Sequence, residues 1–168
     1  MALHHDLLEQ ALHLATREAR KPKQASLRRA VSSAYYALFH LLVAEAAQRL
    51  APAQPPLLRR QVARAFAHGQ MRQVCESIRR RQPPAPLDAL LALPIEPDLA
   101  IVAQTFPVLQ QARHDADYNL AAVLSRVDVR QNIKQAELAF SSWKTVRSGP
   151  NATVFLTALL LHGHGQWR

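Results

Sequence analysis

Apolar residues recur at helical spacing along most of this chain. In 27–47, LRRAVSSAYYALFHLLVAEAA, the stripe is Leu27, Val31, Ala34, Leu38 and Leu42. Tyr36, Phe39, Val43 and Ala47 lie on the other side, so the segment has no properly polar face. A helix apolar nearly all round is buried on all sides. This one is therefore expected at the centre, with others packed about it. Its polar groups are Ser32, Ser33, two tyrosine hydroxyls and His40. Each needs a partner, because a buried unpaired donor or acceptor costs about 1–3 kcal/mol. The stretch 113–119, RHDADYN, is the best candidate to supply them.

The remaining helices follow from the same spacing. Leu3, Leu7, Ala11 and Leu14 predict a first helix over 3–20, stopped by Pro22 and paired with the central helix as a hairpin. Pro52, Pro55 and Pro56 end the central helix and open a third, with Leu58, Val62, Ala65 and Phe66 as its buried face. A kink or break is expected at Gly69, after which Met71, Val74, Cys75 and Ile78 resume the stripe. Residues 82–97 read as a proline-rich loop whose Leu87–Leu93 part is a short helix or a lid. A fourth helix starts near Pro97 with the stripe Leu99, Val102, Phe106, Leu109, Arg113, Ala116 and Leu120, kinked at Pro107. Asp128 opens the fifth as a near capping box with Gln131. Its buried face is Val129, Ile133, Ala136, Phe140 and Trp143, and 148–150 ends it. Asn151 is expected to cap a short apolar tail from Ala152 to Leu161, followed by His162 and His164 in a frayed end. The expected fold is all-α: an antiparallel bundle of four to five main helices over 1–150, with a short C-terminal helix and tail over 151–168.

Composition narrows the class without changing that picture. The chain has 168 residues, 49% of them hydrophobic, enough for one domain with a real core. Four glycines and an Ala/Leu/Arg/Gln-rich content favour helix. A lone cysteine, Cys75, excludes an internal disulfide and points to a cytoplasmic setting, with the thiol acting as a small buried hydrophobe. The start MALHHDLLEQ has neither the basic end nor the apolar run of a signal peptide, and no segment is expected to reach the length of a membrane span. Without a secretion signal, the triplet at Asn151 reads as chance rather than as a glycan site. The formal charge is +9, which suits a polyanionic partner such as RNA. The most basic stretch holds Arg59, Arg60, Arg64, Arg72, Arg79, Arg80 and Arg81 against one acid, Glu76. It reads equally as a phosphate-contacting surface or as a solvated helix face.

Chemistry concentrates where the stripe turns polar. Arg113 and Asp117 stand four residues apart at positions expected to be buried. Burying either charge alone is expensive. Together they neutralise each other and can bond the hydroxyls of the central helix. LRRAVSSAYYALFHLL (27–42) followed by QQARHDADYN (110–119) resembles the HEPN family (higher eukaryotes and prokaryotes nucleotide-binding), in particular its small stand-alone bacterial and archaeal members. Those carry R-R-A-x-S-x-A-Y-Y-A-x-F-H and a later R-x-x-A-D-Y-D. The resemblance spans about residues 5–147. It implies a helical homodimer, RNA or a nucleotide as ligand, and a role in a toxin–antitoxin or defence system beside a small nucleotidyltransferase able to modify Tyr118.

RNA-cleaving members of that family pair an arginine with a histidine that follows it after four to six intervening residues. The histidine moves a proton at the ribose 2′-hydroxyl or the leaving oxygen, and the arginine steadies the phosphorane, with no metal or other cofactor. Here that histidine is replaced: the position holds Tyr118, Asn119 or Leu120. A phenol with its ordinary pKa of about 10 is a poor proton shuttle at neutral pH. His114 lies one residue from Arg113, about 100° round the helix. His40 is the other substitute. The candidate catalytic set is therefore Arg113, His114, Tyr118 and His40. The candidate binding set is Tyr35, Tyr36, Asp117, Asn119, Arg28 and Arg29. Each has a plainer reading: an ion pair fixing helix register for Arg113 and Asp117, core aromatics for Tyr35 and Tyr36, a satisfied core histidine for His40, and a hydrogen bond to the central helix for Tyr118. Three functions stay open at this point: an RNA-associated HEPN protein, a metal-independent endoribonuclease, and a non-catalytic helical interaction module.

Overall fold

The structure is a computed structural model that describes residues 2–162. His164 lies outside the described residues. Eight helices and no strand occur among the described residues: α1 (Leu3–Thr16), α2 (Gln24–Leu50), α3 (Pro56–Arg64), α4 (His68–Arg79), α5 (Ala85–Leu90), α6 (Pro97–Tyr118), α7 (Arg126–Val146) and α8 (Pro150–Leu161). They form two compact units. One is Met1–His40 with Thr105–Ser141, the other Leu41–Gln104 with Ser142–Arg168. α2, α6 and α7 give residues to both.

In the first unit α2 contributes Leu27, Val31, Ala34, Tyr35 and Leu38, all buried. Phe39, on the far side, is buried too. α6 runs opposite to α2: Phe106 meets Tyr35, Arg113 meets Tyr36, and Asp117 meets Ser32. α1 likewise runs opposite to α7. His4 and His5 touch Phe140, while Arg126, at the other end, donates to the carbonyls of Glu18 and Ala19. α1 stops at Thr16, four residues short of the expected end. The Thr16 hydroxyl turns back on the carbonyls of Leu12 (2.9 Å) and His13 (3.2 Å), closing the last turn. Glu18 then serves the start of α2: it accepts from Ser26 Oγ (2.8 Å) and from the Lys23 N–H (3.4 Å). The Ser26 hydroxyl, opposed by partial desolvation, holds the Glu18 carboxyl below its usual range. α7 is capped three residues earlier than expected. Ser125 Oγ accepts the Asp128 N–H (3.1 Å) and donates to Asp128 Oδ2 (2.6 Å), so Asp128 closes the box instead of opening it.

In the second unit α4 and α5 pack on α8. α4 buries Met71, Val74, Cys75 and Ile78, as its spacing predicts. Burial pushes the Cys75 thiol far above its ordinary pKa, so it stays a neutral hydrophobe. The break expected at Gly69 falls at residues 65–67, and Gly69 sits in the first turn of α4. α3 differs from its expected role: none of its residues is buried, and Leu57 (62%) and Leu58 (45%) stand exposed. Nine residues are too few to present a full stripe, and only Phe66, just beyond it, reaches the core. α5 takes up the middle of the expected loop, with Leu87 and Leu91 buried and Leu90 and Leu93 exposed.

Asn151 does not cap α8. It is 1% exposed in the first turn, and its amide clamps the preceding segment. Oδ1 accepts the Ala92 N–H (2.7 Å), while Nδ2 donates to Ala92 O (2.9 Å) and Glu96 Oε2 (2.7 Å). A buried, saturated amide is no glycan acceptor. A Cβ at Gly149 would meet Glu96 Oε1 at 2.8 Å and the Val146 carbonyl at 3.0 Å, so a larger residue there would push the Glu96 carboxylate aside. α6 runs unbroken through Pro107. Leu120, expected on its stripe, lies past the helix end and is 90% exposed. One further expectation is corrected. By length and composition α2 is apolar enough to cross a membrane. Of that window 78% is buried inside the protein, as in a core helix.

Candidate functional site

The site forms where the last two turns of α6 meet the first four of α2. Arg113 Nε lies 3.4 Å from Asp117 Oδ2, with the two side chains 18% and 24% exposed. The contact is Coulombic: Nε is buried and lacks an aligned hydrogen bond. The other end of the guanidinium donates to Tyr36 Oη at 3.0 Å. Asp117 Oδ1 accepts the Ser32 hydroxyl at 2.7 Å. That hydroxyl also approaches the Arg28 carbonyl at 3.2 Å, but its one proton favours the shorter, charged acceptor.

The chain has three tyrosines, and all three surround this guanidinium. Its carbon is 5.4 Å from the Tyr36 ring centre, 5.6 Å from Tyr35 and 6.0 Å from Tyr118. At these distances each ring attracts a cation by about 0.5–2 kcal/mol, depending on its desolvation. Burial disfavours the Arg113 charge, but the Tyr36 hydroxyl and the Asp117 carboxylate outweigh it. The net effect holds the pKa above the ordinary arginine value. Arg113 is thus a permanent cation whose charge is already matched.

Arg28 closes the C-terminal end of α6. Its guanidinium donates to the carbonyls of Ala116 (2.6 Å), Asn119 (3.1 Å from each terminal nitrogen) and Ala122 (2.6 Å). Helix ends leave carbonyls unpaired, and Arg28 supplies donors for this one. Gln24 extends the fastening: Nε2 donates to Leu124 O and Oε1 accepts the Leu124 N–H, both at 2.9 Å. Asn119 accepts the Ala121 N–H through Oδ1 at 3.1 Å, which tightens the turn. Arg28 and Asn119, expected as ligand-binding residues, therefore hold backbone. Gln24 was missed. The signal for it is a ladder at four-residue steps, Gln24, Arg28, Ser32 and Tyr36, which places polar groups along the one edge of α2 that faces α6.

The other expected residues divide around this core. Tyr35 is fully buried against Phe39 and Phe106, as the core reading has it. Tyr36 is half-buried. His40 is half-buried between Tyr36 (6.3 Å) and Phe39 (5.2 Å), where desolvation pulls its pKa down and keeps it neutral at pH 7. His114 is exposed, its ring 5.0 Å from that of Tyr118. Tyr118 is 65% exposed and meets its neighbours through its ring, not through the expected hydrogen bond to α2. Its ring lies back along the last turn of α6, against His114 and the Arg113 guanidinium. Arg29 is exposed on α2 and takes no part in the cluster. Among the described residues, no three His, Cys, Asp or Glu side chains gather at one point. Comparison with family models, with characterised proteins and with solved structures returned no match.

Proposed function

We propose that this chain is a HEPN-like protein that binds RNA or a nucleotide as a homodimer. On this reading its helices form the antiparallel bundle of that family, and it serves in a toxin–antitoxin or defence pair with a nucleotidyltransferase. The observation that carries the reading is the Arg113 cluster. Its members come from the two sequence elements that resemble the family, and from almost nowhere else. The chemistry favours binding and modification over cleavage. Asp117 already matches the Arg113 charge, leaving little to offer a phosphorane. Tyr118 instead presents an exposed phenol beside His114. That phenol suits an incoming nucleotidyl group: its oxygen bonds to the α-phosphorus, pyrophosphate leaves, and the phenolic proton passes to solvent or to His114.

A metal-independent endoribonuclease is the second reading. His40 favours it, since a histidine kept neutral at pH 7 is competent as a base. One assay separates the two. Labelled RNA is incubated in EDTA with the wild type and with Arg113→Ala, and both cleavage and retention on the protein are scored. The binding reading predicts retention without cleavage. Cleavage by the wild type, lost in Arg113→Ala and in His40→Ala, would replace it with the nuclease reading. Neither retention nor cleavage at low salt would leave a protein-interaction module.

A further inference from the structure

The two arginines of the site are spent on internal bonds, so the charge that grips a polyanion lies elsewhere. The segment 56–81, which holds α3 and α4 and lies in the second unit, carries seven of the chain's arginines and one acid. Only two of those arginines meet that acid: Arg72 Nε at 2.8 Å from Glu76, and Arg80 at 3.8 Å. Arg59, Arg60, Arg64, Arg79 and Arg81 make no side-chain hydrogen bond or ion pair with any described residue. All but Arg59 are exposed.

Two structural features fit a binding role better than a solvated face. α3 has no fully buried residue, only the half-buried Arg59, Val62 and Ala63, and it offers Arg60 and Arg64 one turn apart on its exposed side. Arg81 sits at φ 56°, the left-handed region that glycine fills freely and arginine does not. It occupies the position after the α4 cap, where the Arg81 N–H reaches Ile78 O (3.0 Å) and the Gln82 N–H reaches Ser77 O (2.9 Å). The helix dipole welcomes one cation there, and it does not require three in succession at a strained backbone.

We infer, on the reading of the chain as nucleic-acid-associated, that α3 and α4 form its phosphate-contacting surface, with Arg59, Arg60, Arg64, Arg79 and Arg81 as the contacts. The occupant is the phosphate backbone of an RNA. Guanidinium forks bond phosphate oxygens in pairs, and the surface is too poor in apolar side chains to anchor in lipid: Leu57 and Leu58 alone are exposed on α3, and the apolar face of α4 is buried.

The test is fluorescence anisotropy of a labelled single-stranded RNA oligonucleotide across a salt series, in EDTA, with the full chain. Each phosphate contact on a single strand contributes about 0.7 to the slope of log K against log salt. Arg59→Gln/Arg60→Gln/Arg64→Gln is expected to flatten that slope by about two. Arg17→Gln/Arg20→Gln/Arg130→Gln removes the same charge from the first unit and is expected to leave the slope as it was. Lysine at positions 59, 60 and 64 is expected to keep the slope. Arg81→Gly is expected to raise the Tm and yet flatten the slope by about 0.7, a combination a purely structural role does not produce. Equal slopes for the two glutamine triples would overturn the inference and leave RNA association standing. A wild type that binds no RNA would remove both. Binding to phosphatidylserine vesicles but not to RNA would assign the surface to membrane instead.

Discussion

Arg28 and Arg113 carry the same guanidinium group as Arg60 and Arg64, and the protein uses it in opposite ways. In the first unit both groups have their partners inside the protein: three carbonyls for Arg28, and a carboxylate, a hydroxyl and three aromatic rings for Arg113. On α3 the groups have none among the described residues. Removing a satisfied buried donor leaves its acceptors stranded, whereas removing a solvated one leaves only water behind. A motif arginine is therefore not by default a ligand arginine. What matters is whether its donors are already committed.

The largest expected effect is at Asp117. Asp117→Ala leaves Arg113 partly buried without its counter-charge and strands the Ser32 hydroxyl, and is expected to cost about 2–3 kcal/mol in urea unfolding. Arg113→Met/Asp117→Leu together should recover much of that loss, because an apolar pair of similar volume leaves no stranded charge. A double variant as unstable as the single one would show that the cluster is held by something other than the pair. Tyr36→Phe removes one bond to a cation that keeps its other partners, and about 1–2 kcal/mol is expected from the same measurement. In the other region the sign reverses. Arg81→Gly relieves a left-handed arginine and is expected to stabilise by about 1 kcal/mol.

The smallest effect is a pH dependence. The folded His40 has a lowered pKa, so the unfolded state takes up its proton first as pH falls. Stability is expected to be whole above the ordinary histidine pKa of about 6.5 and to decline as pH drops from there toward the folded value. In His40→Gln this part of the decline should be absent. Thermal melts at several pH values decide it. An unchanged profile would place the acid sensitivity on other groups.

Much of the first unit was legible in the sequence because its signals are phase relations. The α2 stripe, the α6 stripe and the Arg113–Asp117 pair all follow from counting in threes and fours, and the structure has them there. The ladder Gln24, Arg28, Ser32 and Tyr36 obeys the same arithmetic. It passes unnoticed because a hydrophobic stripe is sought first and because arginine suggests phosphate before it suggests a carbonyl. Element ends were less legible. Asp128 and Ser125 are both good cap residues, and only the geometry shows that serine caps while aspartate closes the box. Asn151 resembles a cap in sequence, yet its partners lie in the stretch around Ala92 and Glu96, beyond the reach of local rules. Leu120 is expected on a helix face that ends at Tyr118, before it is reached.

The contrast between committed and uncommitted arginines is tested most directly by urea unfolding of Arg28→Ala beside Arg60→Ala. Arg28→Ala is expected to lose about 2–3 kcal/mol, because carbonyls at the end of α6 lose their donors. Arg60→Ala is expected to stay within about 0.5 kcal/mol of the wild type. Equal losses in the two variants, or a stable Arg28→Ala, would contradict the account.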